Sequence, residues 1–114
     1  MFRVYVDPHR QSQKIARTSI VVETHRLVKI DFFEDAADQA SATVSSVAWT
    51  SEGRRELTIS NESLTTGVAS GYISSANSGW AMLKVKATYS NGNTSVQYIR
   101  IRVDDPEYQI PQQS

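Results

Sequence analysis

The chain has 114 residues, enough for one domain around a single core, and no cysteine, which excludes disulfides and thiolate-bound zinc or iron–sulfur centres. Its 12 basic and 12 acidic residues cancel, so it lacks the basic excess of a dedicated nucleic-acid binder, and no apolar run nears the roughly 20 residues of a membrane span. Ser and Thr are abundant and Leu is scarce, which suits short strands and turns better than helices.

In chain order, Phe2, Val4 and Val6 alternate with Arg3, Tyr5 and Asp7, a short strand or extended arm that Asp7-Pro8 breaks. The opening residues hold no apolar stretch of the signal-peptide kind, so synthesis in the cytoplasm is expected. Residues 9–17 are polar and basic without a helical stripe. Residues 1–17 therefore read as an N-terminal arm, residues 18–104 as the domain, and residues 105–114 as a Pro- and Gln-rich tail. Thr18 to Glu23 is β-branched, with Ile20 and Val22 inward. Leu27 to Phe33 alternates, with Val28, Ile30 and Phe32 on one face. Glu34 to Ser41 is small and acidic and reads as a crossing between two sheets before it reads as one helical turn. Val44 to Thr50 is a strand that buries Val47 and Trp49. A turn follows at residues 51–55, then a strand with Leu57 and Ile59 inward. Residues 64–75 hold one or two short strands anchored by Val68 and Tyr72, and residues 75–79 form a loop.

The strongest pattern is Ala81 to Val103, a long β-hairpin. Ala81, Leu83, Val85, Ala87 and Tyr89 share one face, while Ile99, Ile101 and Val103 oppose Arg100 and Arg102. A two-residue Asn91-Gly92 turn would set Leu83 against Arg100. A three-residue loop, Ser90-Asn91-Gly92, with Gly92 left-handed, instead pairs Leu83 with Ile99 and Ala81 with Ile101. That register sends Lys84, Lys86, Arg100 and Arg102 outward as a basic stripe. Seven or so short strands with regular turns imply an all-β, immunoglobulin-like β-sandwich with extended N- and C-terminal arms. Without an inter-sheet disulfide, Trp49 should hold its centre, and Trp49→Ala is expected to cost roughly 3–5 kcal/mol.

Catalytic, cofactor and metal sites are not expected. His9 and His25 lie in polar surroundings, no Gly-x-Ser-x-Gly elbow is present, and Asp31, Glu34, Asp35 and Asp38 lack the spacing of a calcium loop. These four read as a solvated crossing. The basic stripe reads as an ordinary solvated face before it reads as a surface for an acidic partner. The two ends carry apolar residues with no evident place in the sandwich. Phe2, Val4, Tyr5, Val6, Arg10 and Arg17, with Tyr108 and Ile110 in the tail, are the candidate partner-binding residues. For Phe2–Val6 the competing reading is a strand of the domain's own sheet. Trp80 reads as a core aromatic at a strand start. The alternative sets it beside Tyr72 as the sugar platform of a carbohydrate-binding module.

Asp31-Phe32-Phe33, Ser45-Ser46-Val47-Ala48-Trp49-Thr50, Leu57-Thr58-Ile59-Ser60, the 75–79 loop, Thr88-Tyr89-Ser90-Asn91-Gly92, and Ile99-Arg100-Ile101-Arg102-Val103 resemble the small Ig-like virion proteins of tailed bacteriophages. The fiber–tail adaptor type is the nearest. The Ser-Ser-x-x-Trp strand and a closing Gly-x-Thr … Ile-Arg-Val strand, here starting at Gly92-Asn93-Thr94, carry the likeness across residues 27–103. Bacterial Ig-like surface modules share this grammar. The resemblance implies a non-enzymatic virion subunit, made in the host cytoplasm. Its partners would be tail, portal-adaptor or fiber subunits arranged in many copies around a symmetric hub, with no nucleic acid, membrane or cofactor. A head-decoration or capsid-associated protein is the related alternative. Residues 1–26 exceed that family's short lead-in and imply an additional docking arm.

Overall fold

The computed structural model describes residues 2–5, 15–38 and 42–105. Among the described residues, eight strands form two four-stranded sheets, with one short helix between β3 and β4: β1 (Phe2–Tyr5), β2 (Ala16–Val21), β3 (Arg26–Asp31), α1 (Phe33–Asp38), β4 (Val44–Glu52), β5 (Thr58–Thr65), β6 (Val68–Ser74), β7 (Gly79–Tyr89) and β8 (Thr94–Asp104). The first sheet runs β1-β3-β6-β5 and the second β2-β8-β7-β4. Their inner faces interleave into one core, with Val28, Ile30 and Ile73 of the first sheet, Phe32 just past β3, and Leu83, Val85, Ile99 and Ile101 of the second sheet fully buried. The Ig-like sandwich implied by the strand pattern is thus the fold.

The β7–β8 hairpin has the three-residue loop. Tyr89 N–H donates to Asn93 O at 2.8 Å and Gly92 N–H to Tyr89 O at 2.9 Å. Gly92 has φ 91°, a conformation that Cβ makes costly for other residues. Leu83 pairs with Ile99 and Ala81 with Ile101. The turn is tied to the start of β4, since Ser90 N–H donates to Thr43 O at 2.7 Å and Thr43 N–H to the Ser90 hydroxyl at 3.0 Å.

Of the two readings of Phe2–Val6, a free arm or a strand of the domain's own sheet, the described residues bear out the second. Phe2–Tyr5 is an edge strand of the first sheet, parallel to β3, with Phe2 opposite Val28 and Val4 opposite Ile30. Phe2 and Val4 pack against the core. Arg3 bridges to Asp31 at 3.0 Å across the same pair. β2 begins at Ala16 and runs parallel to β8, so Ala16 and Arg17 also belong to the sandwich. The physical reason is alternation: a strand with one apolar face lowers its free energy by adding that face to an existing core.

Three further expectations change. Residues 33–38 cross between the sheets as one short helix, which joins the two readings of that stretch, but the acidic cluster is not a solvated one. Asp31 Oδ1 accepts the Phe33 N–H at 3.0 Å at the helix start, and Asp35 is buried, accepting a hydrogen bond from the Tyr89 hydroxyl. The Glu34 and Asp38 side chains lie outside those described. On β6 the inward residues are Ala69, Gly71 and Ile73, and Val68 and Tyr72 face out. Size misleads there: a Cβ on Gly71 would meet the Trp49 ring at 3.5 Å, so the strand's small face makes room for that indole. Trp49 itself is half-buried on an edge strand, at the rim of the core rather than its centre.

Candidate docking surface

The outer face of the second sheet gathers side chains from all four strands, and β4 sets Ala48 beside Lys86, Thr50 beside Lys84 and the acidic Glu52 beside Met82 at the sheet edge. The register β2-β8-β7 aligns Arg17 with Arg100 and Met82, Ser19 with Arg102 and Trp80, and places Tyr98 beside Lys84 and Val96 beside Lys86. All of these belong to the parity opposite to the buried residues, so they share one surface. The four-residue basic stripe stands as expected, and β2 adds Arg17 to it. Five of the described cations therefore sit on this sheet face.

Trp80 is not a core aromatic. It is 46% exposed, and the Arg100 guanidinium lies over its ring, Cζ 4.2 Å from the centroid. Its backbone is held from below: Trp80 O accepts the Arg55 N–H at 3.0 Å, and Arg55 Nε donates to Ser78 O at 2.6 Å. The turn after β4 thus fixes the start of β7. Outward exposure of Trp80 follows from alternation, since it shares parity with Met82, Lys84 and Lys86. Aromatic character alone had suggested burial.

Charges on the face are unevenly matched. Arg102 bridges to Asp104 at 2.9 Å at the sheet's end. Among the described residues no carboxylate pairs with Arg17, Lys84 or Lys86. Arg17 and Arg100 are directly opposite, an arrangement that costs a sheet some stability. Met82, Val96 and Tyr98 are half-buried between the cations, giving the surface an apolar interior.

The sequence-based candidates separate. Arg17 joins this face. Phe2 and Val4 are committed to the core flank, while Tyr5, 67% exposed, stands on the other sheet with Arg3 over its ring at 5.1 Å. Val6, Arg10, Tyr108 and Ile110 lie outside the described residues, as does His9; His25 is exposed. Tyr72 faces out from the first sheet and Trp80 from the second, so the two cannot form a common sugar platform. A separate shallow groove is lined by Phe33, Ala36, Ala42, Val44 and Leu64 with the Thr43 and Thr66 side chains. Among the described residues that lining contains no titratable group.

No family model matches the chain, and no curated protein matches it. Among solved structures it is similar to the PKD domain from the KIAA 1837 protein, with a TM-score of 0.54 and 9% identity, over 90% of this chain and 99% of that one. It also overlaps the cysteine protease inhibitor EhICP2 from Entamoeba histolytica, at TM-score 0.47 and 9% identity over 90% and 96% of the two chains. A Photobacterium 2,6-sialyltransferase overlaps at TM-score 0.43 and 12% identity, over 83% of this chain and 19% of that one. At such identities the likeness to the PKD domain is one of fold, and the fold it establishes is an Ig-like sandwich.

Proposed function

We propose that the protein is a non-catalytic structural subunit of a tailed-phage virion, an adaptor that joins tail or neck to fibers or spikes by protein–protein contacts. The observation that carries this reading is the outer face of the second sheet, where Arg17, Lys84 and Lys86 meet no carboxylate among the described residues and lie beside Trp80 and a half-buried apolar interior. The likeness of residues 27–103 to Ig-like virion proteins supplies the setting. Such a subunit acts by avidity: copies around a symmetric hub turn weak single contacts into firm attachment. The experiment is peptide mass spectrometry of purified phage particles. Recovery of this chain at a copy number matching the tail's rotational symmetry is expected. A copy number tracking the major capsid protein would instead place it on the head, and absence from particles would end the virion reading.

A further inference from the structure

We infer that the outer face of the second sheet docks an acidic protein surface, with Arg100 stacked on Trp80 as its anchor. The inference rests on the reading of the chain as a protein-binding subunit, and it names the partner's chemistry. It does not depend on the virion setting.

Charge placement is the first argument. The chain is neutral overall, yet this face concentrates Arg17, Lys84, Lys86, Arg100 and Arg102. Neighbouring strands are about 4.8 Å apart and alternate residues on one strand about 6.7 Å apart, so the cations form a grid that an isolated sheet would not favour. An anionic surface laid on it relieves the repulsion between Arg17 and Arg100.

Composition decides between an acidic protein and the other polyanion that such a grid could hold, single-stranded nucleic acid. Nucleic acid would need open aromatic faces for base stacking. Here the guanidinium of Arg100 covers the face of the Trp80 indole, and Tyr98 is half-buried between its neighbours. Arg, Trp, Tyr and Met are the residues that protein interfaces favour, and buried Trp and Arg supply most hot spots. The stack has a further consequence. A guanidinium held over the indole is pre-positioned for a carboxylate and loses less side-chain entropy on binding.

The test uses the full chain with poly-L-glutamate and, separately, oligo(dT) of matched charge, titrated by calorimetry at low salt. The acidic polypeptide is expected to bind, and to bind more tightly than the oligonucleotide. Trp80→Ala and Arg100→Ala should each weaken binding by about tenfold or more. Lys29→Ala, on the other sheet, should leave it unchanged. Unaltered thermal melting of the three variants confirms that the fold is intact. No binding of poly-L-glutamate, tighter binding of oligo(dT), or equal binding by Trp80→Ala overturns the inference. Failure here with the chain present in particles removes this face, and the virion reading then stands on the particle result alone. Binding here with the chain absent from particles does the reverse.

Discussion

At the level of single residues, the two tryptophans have opposite jobs. Trp49 packs its ring against Gly71 across the sandwich, and Trp80 lies outside under Arg100. Trp49→Ala removes half-buried contacts at the core rim and is expected to cost about 2–4 kcal/mol, at the lower side of core aromatic deletions. Trp80→Ala should cost less than about 1 kcal/mol, as surface changes do. Chemical denaturation of the two variants measures both, and equal losses would contradict the assignment. Tyr89 makes a pH prediction. Burial, with the hydrogen bond to Asp35 next, raises its phenol above the ordinary value of 10.0. The unfolded chain ionises this group near pH ~10 and the fold resists doing so. Its contribution is therefore complete below about pH 10 and is lost as pH climbs from there toward the raised folded value. Melting temperature should fall above that pH, and Tyr89→Phe should flatten the fall while lowering stability at neutral pH, since Asp35 loses a buried donor.

Among the elements, β1 is the one whose role changes most between sequence and structure. Phe2 and Val4 lie half-buried beside Val28 and Ile30, and Arg3 reaches Asp31. Replacing both apolar residues by Ser should destabilise the domain by about 2 kcal/mol, taking about 1 kcal/mol for each half-buried side chain. A docking arm with no place in the sandwich would give no loss, so thermal unfolding of the double variant separates the two roles. The alternation that marks β1 as a strand is local and legible; its neighbour is not, because the parallel pairing with β3 joins residues far apart in sequence. The same limit hid where Arg17, a candidate from the sequence, belongs, since it reaches the basic stripe only through the parallel β2–β8 pairing. The hairpin was fully legible, down to its loop length, because both partners lie within one stretch and a slip by one residue would have buried Arg100. The inversion on β6 was not, because the signal for an inward Gly71 is the Trp49 ring on the opposite sheet. Trp80 was legible by parity, and its size outweighed that cue.

For the whole molecule, neutrality conceals segregation. Twelve acids balance twelve bases, but five cations share the outer face of the second sheet, with Asp104 and Glu52 only at its ends. Surface charges beyond a Debye length of about 8 Å are screened at physiological salt, so this face acts at contact range and does not steer partners from afar. Its core-facing side is formed by Leu83, Val85, Ile99 and Ile101, fully buried, which makes the outer side a rigid platform. Reversing charge on that platform should then change association without changing the fold. Lys84→Glu with Arg100→Glu sets two carboxylates among Arg17, Arg102 and Lys86, where they meet cations within the sheet, so thermal stability should stay within about 1 kcal/mol of the parent. Attachment should fail, because an acidic partner now meets like charge where it met Arg100 and Lys84. The measurement is incorporation of the double variant into assembled particles beside the control Lys29→Glu on the opposite sheet. Loss with the first and retention with the second is expected. Equal incorporation of the two would show that assembly does not use this face.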